Sequence, residues 1–240
     1  MKLLILCGGR GTRLASITNG RQKCSLEING KPFIIHIIEN IKNYFPIKSI
    51  CLCIGHSAND IISIDYDKYL SNDTIIDFSI ETEPLGTGGA VKHAISEEPI
   101  NQELIICNGD SICDIANLRE GYLRLSRKKS AGIIASAYTS QAQRYGTLLV
   151  DKSNRILNFI EKNPETSEGI INAGIYILRN DILHPLLDSE KHTHFSLEKN
   201  VFPKLVDKFD LYISRPTKSF IDIGIPEDFM RTGTFLNSYS

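Results

Sequence analysis

Leu3-Leu4-Ile5-Leu6-Cys7-Gly8-Gly9-Arg10-Gly11-Thr12-Arg13-Leu14 stands near the start of the chain, and its reading decides the fold class. An apolar run breaks directly into a glycine-rich turn. Such a run, bounded by a turn signal, predicts a buried first strand. In open parallel sheets, ligands bind beyond the carboxyl ends of the strands. Glycines there let the backbone approach a ligand and present successive N–H groups to phosphate oxygens. Arg13 adds a planar positive fork suited to phosphate. Lys23 lies ten positions further on and offers a second positive charge. The competing reading is a plain strand–helix turn; the two cations favour phosphate binding.

Two better-known glycine motifs fail at this turn. The dinucleotide fingerprint GxGxxG needs a third glycine where Leu14 stands, and the P-loop needs Gly-Lys-Ser/Thr, which is absent. The first failure speaks against a dinucleotide-dependent oxidoreductase.

Outward from the turn, short β-rich apolar runs predict strands at 3–7, 49–55, 76–81, 104–108, 131–138, 146–150, 156–161, 170–178 and 211–214. Residues 32–44 carry Phe33, Ile34, Ile37, Ile38 and Ile41 near a 3.6-residue period, and 88–96 and 118–128 also read as helices. Strand–helix alternation through the first half predicts an α/β fold with a Rossmann-like, mixed but mostly parallel central sheet flanked by helices. From about Tyr138 the chain reads as more β-rich. No repeat, low-complexity tract or long linker divides it, so residues 1–240 read as a single domain with halves meeting near 137/138.

Composition narrows the function. The chain has 240 residues, 23% of them charged, with a formal net charge of -1. No basic excess supports nucleic-acid binding. No apolar run approaches the roughly 20 residues of a membrane span. The N-terminus has a single positive residue and no small-residue cleavage site, so it reads as a buried first strand rather than a signal peptide. The expected location is cytoplasmic. The six cysteines include no CxxC pair, and Cys7, Cys51, Cys53 and Cys107 lie in strand-like runs; they read as reduced core thiols. The His192-Thr193-His194 run sits in a polar loop and reads as no metal site.

Residues 6–23 resemble the signature of the nucleotide-sugar pyrophosphorylases, the sugar-1-phosphate nucleotidyltransferases: GGxGTRL, then a loop ending in Pro-Lys. Further segments follow in the family's order: Glu83-Pro84-Leu85-Gly86-Thr87-Gly88-Gly89-Ala90, Asn108-Gly109-Asp110, Tyr145-Gly146, Phe159-Ile160-Glu161-Lys162, Asn172-Ala173-Gly174-Ile175-Tyr176, Phe195-Ser196-Leu197-Glu198 and Phe220-Ile221-Asp222-Ile223-Gly224. One departure is Gln22, where the family has proline; it predicts a more mobile loop and a less certain position for Lys23.

The resemblance implies an enzyme that joins an NTP to a sugar 1-phosphate with release of pyrophosphate. It implies nucleotide contacts from Leu6, Gly8, Gly9, Gly11, Thr12, Arg13, Lys23, Glu83, Pro84, Gly86, Thr87 and Gly109. Gly146, Glu161, Lys162, Asn172 and Glu198 fall on the sugar-phosphate side. Catalysis is assigned to Arg13, Lys23, Asp110, Lys162 and Asp222, with Asp110 and Asp222 holding Mg²⁺. Two carboxylates completed by phosphate oxygens and water suit that ion. Asp110 follows a buried apolar strand, which puts its carboxylate at the ligand edge; Asp222 lies between Ile221 and Ile223, on the opposite face of its strand from both. The halves become a nucleotide-binding part at about 1–137 and a sugar-phosphate-binding part at about 138–240.

Base choice turns on Glu83. Guanine offers two adjacent donors that one carboxylate accepts together, so GTP is the expected partner. The run resembles guanylyltransferases acting on mannose- or heptose-configured phosphates, and a chain stopping soon after Asp222 resembles the heptose enzymes more. Alternatives are a mannose-1-phosphate guanylyltransferase, a cytidylyl- or uridylyltransferase acting on another phosphorylated sugar or alcohol, and a catalytically inactive regulatory relative. Oligomeric state is not legible.

Overall fold

The computed structural model describes residues 1–9, 11–125, 130–160, 162 and 167–239, with the backbone alone of Thr12, Ser16 and Tyr239. Its strands are β1 (Lys2–Leu6), β2 (Glu27–Ile28), β3 (Lys31–Pro32), β4 (Ser49–Ile54), β5 (Ile75–Ile80), β6 (Glu103–Asn108), β7 (Ser111–Cys113), β8 (Ser130–Thr139), β9 (Thr147–Val150), β10 (Ile156–Ile160), β11 (Gly169–Arg179), β12 (Asp210–Ile213) and β13 (Phe220–Asp222). The helices are α1 (Ala15–Thr18), α2 (Phe33–Tyr44), α3 (Asn59–Ile62), α4 (Gly86–Ala94), α5 (Ala116–Arg124), α6 (Asn180–Asp188), α7 (Phe202–Lys208) and α8 (Pro226–Tyr239).

Strands β5-β4-β1-β6 lie side by side and parallel, and β11 continues the sheet antiparallel to β6. β1 sits between β4 and β6, so the chain winds outward from it in both directions. That reversal opens a crevice beyond the carboxyl ends of β1 and β6. β11 also pairs with β8 and, through its first residues, with β9; its register with β8 shifts between Asn172 and Tyr176. The β9–β10 hairpin therefore branches from the start of β11, beside the crevice.

Alternation along the central strands gives the sheet two buried faces. Leu3 and Ile5 of β1, with Ile105 and Cys107 of β6, pack with Phe33, Ile37 and Ile41 of α2 and Leu118 of α5. Leu4, Leu104 and Ile106 face the other way, against Val91 of α4, Leu183 and Leu187 of α6 and Phe202 of α7. The result is a three-layer α/β architecture in which both clusters share one mixed, mostly parallel sheet. No helix among the described residues is long and apolar enough to cross a membrane.

The strands predicted from sequence all form, within a residue or two at their ends. The helix expected at 88–96 begins earlier, at Gly86, because the Glu81 carboxylate accepts the Leu85 N–H at its start (3.0 Å). The helix expected at 118–128 runs from Ala116 to Arg124, with 126–129 outside the described residues. The second half is less purely β than its sequence suggests, since α6, α7 and α8 lie there. Prolines hide them: Pro185 falls inside α6, Pro203 in the first turn of α7, and Pro226 opens α8.

Candidate active site

A cavity of about 610 Å³ occupies the crevice. Its floor comes from the carboxyl ends of four parallel strands: Leu6 to Gly9 after β1, Gly55 and His56 after β4, Glu81 to Pro84 after β5, and Asn108 to Asp110 after β6. Gly86 and Thr87 of α4, Lys23 and His194 complete the wall. The backbone closes tightly here, for a side-chain Cβ at Gly109 would stand 2.8 Å from the Leu6 carbonyl oxygen.

Lys23 reaches across the mouth, its Nζ 2.6 Å from Oδ2 of Asp110. Gly11 permits this in two ways. Its φ is +60°, which L side chains rarely adopt, and a Cβ there would meet Cγ of Lys23 at 3.0 Å. Gln22 corrects the expected looseness of the loop. It is 4% exposed, its N–H donates to Oδ2 of Asp60 (2.8 Å), and its Nε2 donates to the His56 carbonyl. A proline could make neither bond.

A second cavity of about 260 Å³ adjoins the first, and Asn108 and Asp110 line both. Asp222 enters its wall through β13, which pairs antiparallel with β7 so that Asp222 lies opposite Ser111. The Ile223 N–H donates to the Asp110 carbonyl at 2.8 Å, which holds the two acidic residues on adjoining backbone despite their separation in sequence. Asp222 Oδ1 accepts from the Gly224 N–H (2.8 Å) and from Nη2 of Arg144 (3.5 Å). Arg144 also donates to Oδ2 of Asp228, 2.5 Å away, and Asp228 is 3% exposed. Burial opposes the Arg144 charge, but these carboxylates outweigh it and raise its pKa. Burial, then the charge of Asp222, raises the Tyr145 phenol.

The structure brings most of the sequence-chosen residues to the two walls. Leu6, Gly8, Gly9, Lys23, Glu83, Pro84, Gly86, Thr87 and Gly109 line the larger cavity. Arg13, Gly146, Lys162, Asn172, Glu198 and Asp222 line the smaller, with Asp110 common to both. Arg13 thus stands on the Asp222 side, its Nη2 3.8 Å from where a Cβ on Gly224 would lie. Glu161 and the side chain of Thr12 lie outside the described residues. Glu83 is exposed on the wall, while Glu81 is half-buried beside Gly8 and Gly55. The Thr87 hydroxyl is engaged with Glu198 across the site.

Several wall residues escaped the sequence reading. Glu81 stands two residues from the quoted loop, Asn108 inside a quoted motif, and Arg144 directly before Tyr145. Nothing in the linear order connects Arg144 to Asp222 or Asp228. Among the described residues no three His, Cys, Asp or Glu side chains gather as a self-sufficient metal site. Asp110 and Asp222 both offer hard oxygen donors on the wall of the smaller cavity, and the ammonium held by Asp110 shows that its position suits a cation. That fits a Mg²⁺ ion completed by substrate oxygens and water.

A glycine-rich first turn at a topological switch point, beside a cleft of paired carboxylates and cations, defines a nucleotide-handling α/β enzyme, and the chain belongs to the nucleotidyl transferase family, matching it over residues 2–238. The chain is 35% identical to the D-glycero-alpha-D-manno-heptose 1-phosphate guanylyltransferase of Campylobacter jejuni, over 95% of this chain and 97% of that protein. It is 33% identical to the mannose-1-phosphate guanylyltransferase catalytic subunit beta of Drosophila pseudoobscura, over 95% of this chain and 60% of that one. The crystal structure of HddC from Yersinia pseudotuberculosis complexed with GMP-PN superposes with a TM-score of 0.79 at 32% identity, covering 100% of this chain and 99% of that one.

Proposed function

We propose that the protein transfers a guanylyl group from GTP to a heptose 1-phosphate, forming GDP-heptose for a surface polysaccharide and releasing pyrophosphate. The observation that carries this reading is the shared wall: two cavities of unequal size meet at Asn108 and Asp110. The larger suits a nucleotide, and its walls come from the first half of the chain except for His194. The smaller draws most of its wall from the second half and suits a phosphorylated sugar. Guanine and heptose are supported by the heptose 1-phosphate relative and by the GMP-PN complex of HddC.

A sugar-phosphate oxygen attacks the α-phosphorus of GTP. A new P–O bond forms, and the bond to the bridging oxygen breaks, leaving pyrophosphate with the electron pair. The nucleophile is already an anion, so no strong base is required. The barrier is repulsion between anions and charge growing on the leaving group, which positioning and fixed positive charge relieve. Lys23 and Arg13 neutralise the nucleotide phosphates and the departing pyrophosphate, and Lys162 holds the sugar phosphate. Glu198 and Asn172 orient sugar hydroxyls, and Glu83 accepts from guanine. Mg²⁺, held by Asp110 and Asp222, would supply further electrostatic stabilisation of the phosphates.

Six buried thiols and no CxxC pair support a reducing, cytoplasmic location. The deciding experiment measures pyrophosphate release with GTP, CTP, UTP, dTTP and ATP against a panel of hexose and heptose 1-phosphates. GTP with a heptose 1-phosphate should give the highest kcat/KM. A pyrimidine nucleotide preference, or no release with any pair, overturns the assignment.

A further inference from the structure

One hydrogen bond joins the walls of the two cavities. Thr87, the second residue of α4, lines the larger cavity, and Glu198 lines the smaller. Thr87 Oγ1 donates to Oε2 of Glu198 at 2.7 Å. The same hydroxyl accepts the Leu197 N–H at 2.9 Å. A threonine in the first turn of a helix ordinarily serves that helix; this one serves a turn more than a hundred residues away.

The Glu198 carboxylate is held from other directions too. The Ser196 hydroxyl donates to Oε2 (2.7 Å) and accepts the N–H groups of Glu198 and Lys199. The Tyr176 hydroxyl donates to Oε1 (3.3 Å) and accepts from Nδ2 of Asn172 (2.8 Å). Tyr176 is fully buried, and burial followed by the Glu198 charge raises its pKa, so it remains a donor. Asn172 Oδ1 accepts the Gly174 N–H in turn (2.9 Å). The chain runs unbroken from the loop beside the nucleobase position to the strand that faces the sugar.

The backbone makes this connection stiff. Gly88 and Gly89 N–H groups donate to the Phe195 carbonyl (2.9 and 3.3 Å), and the Phe195 N–H donates to the Leu85 carbonyl (3.0 Å). Leu197–Val201 then forms a π-helical turn, a geometry frequent at functional sites. Residues 85–89, at the start of α4, and segment 195–198 are therefore placed together.

We infer that Thr87 is a positioning residue that fixes the Glu198 carboxylate, so that the nucleobase loop sets the shape of the sugar-phosphate pocket. This rests on the two-pocket guanylyltransferase reading above. Thr87 acts on the sugar through Glu198. Its hydroxyl is committed to Glu198 and the Leu197 N–H, so removing it weakens sugar recognition more than nucleotide binding.

Pyrophosphate release tests this, with GTP and a heptose 1-phosphate varied in turn, for wild type, Thr87→Val, Thr87→Ser, Glu198→Ala and the Thr87→Val/Glu198→Ala double variant. In Thr87→Val the sugar-phosphate KM should rise about tenfold, the loss expected for one hydrogen bond to a charged group. The GTP KM should rise by a clearly smaller factor, Thr87→Ser should restore the wild-type sugar-phosphate value, and Thr87→Val should add nothing to Glu198→Ala, as for residues acting through one another. Equal rises in both KM values, no rescue by serine, or additive effects in the double variant overturn the inference. If Thr87→Val gives no cooperative melt, Thr87→Ala takes its place and is judged by the same outcomes. A wild type inactive with every pair overturns the guanylyltransferase reading itself; an active wild type with unaltered Thr87→Val kinetics overturns the positioning role alone.

Discussion

Gln22 shows how one side chain can replace a family residue by different physics. Its φ of -65° already suits proline, so Gln22→Pro changes the hydrogen bonds and little else. Asp60 and the His56 carbonyl would each lose a donor. The variant should be destabilised by about 1–3 kcal/mol in urea unfolding, the usual range for groups left unpaired; an unchanged midpoint would show that the anchor is inert. Glu81 and Glu83, two residues apart, stand in different settings. Glu81 Oε2 holds the Leu85 N–H, whereas Glu83 is exposed on the cavity wall. Glu83→Gln should therefore weaken GTP use by about 1–3 kcal/mol relative to other nucleotides and leave thermal stability alone, while Glu81→Gln should lower the melting temperature. Equal losses across nucleotides in Glu83→Gln would remove it as the guanine reader. Asp110→Asn is nearly isosteric but leaves Lys23 without a charged partner. Turnover should fall on the order of a hundredfold with an unchanged circular dichroism spectrum, as when a charge-stabilising group is removed from a reacting site. Wild-type turnover would end the metal assignment. At this scale the motif residues were legible because each sits in a quoted run. Arg144 was not, because its partners Asp222 and Asp228 are brought to it only by folding.

Among the elements, α4 is held by close backbone and side-chain approaches. A Cβ on Gly88 would lie 2.4 Å from two ring carbons of Phe195, and one on Gly89 would lie 2.4 Å from the Thr193 carbonyl oxygen. Glycine is required there for close approach. Gly88→Val should force α4 away from segment 193–197, with a stability loss of about 1–3 kcal/mol, typical of overpacking. Sugar-phosphate affinity should fall with it, because Glu198 loses its seat. Unchanged stability and affinity together would show that the contact yields freely. The parallel strands were readable because burial on both faces writes an uninterrupted apolar run, as in Leu104-Ile105-Ile106-Cys107. α2 was readable from its isoleucine period. α7 and α8 were missed because a proline stands in the first turn of each and reads as a turn signal, and the register shift in β11 leaves no trace in its apolar run.

For the molecule as a whole, all six cysteines are buried, four of them in the cluster that includes α2 and Cys51 in the cluster that includes α4. Burial pushes the Cys113 thiol up to about 12, and Cys107 is raised by the same cause. The native protein should react only slowly with a disulfide reagent at pH 8, whereas the protein in denaturant should show all six thiols at once. A fast-reacting native thiol would contradict the burial. Both halves of the sequence build one sheet: β11 and β8, from the second half, extend the sheet begun by β1 and β6. The Lys23–Asp110 ion pair has a consequence for the order in which partners arrive. A tethered ammonium at 2.6 Å is present at enormous local concentration, so a free divalent ion must compete with it for the carboxylate. In the proposed reaction the GTP phosphates would give Lys23 another anion to face, and so release Asp110. The cation should therefore enter escorted by the nucleotide. Electron paramagnetic resonance titration of Mn²⁺ should show weak binding to the protein alone, much tighter binding once GTP is added, and tightening without nucleotide in Lys23→Met; equal affinity in all three cases would mean that the lysine never guards the site.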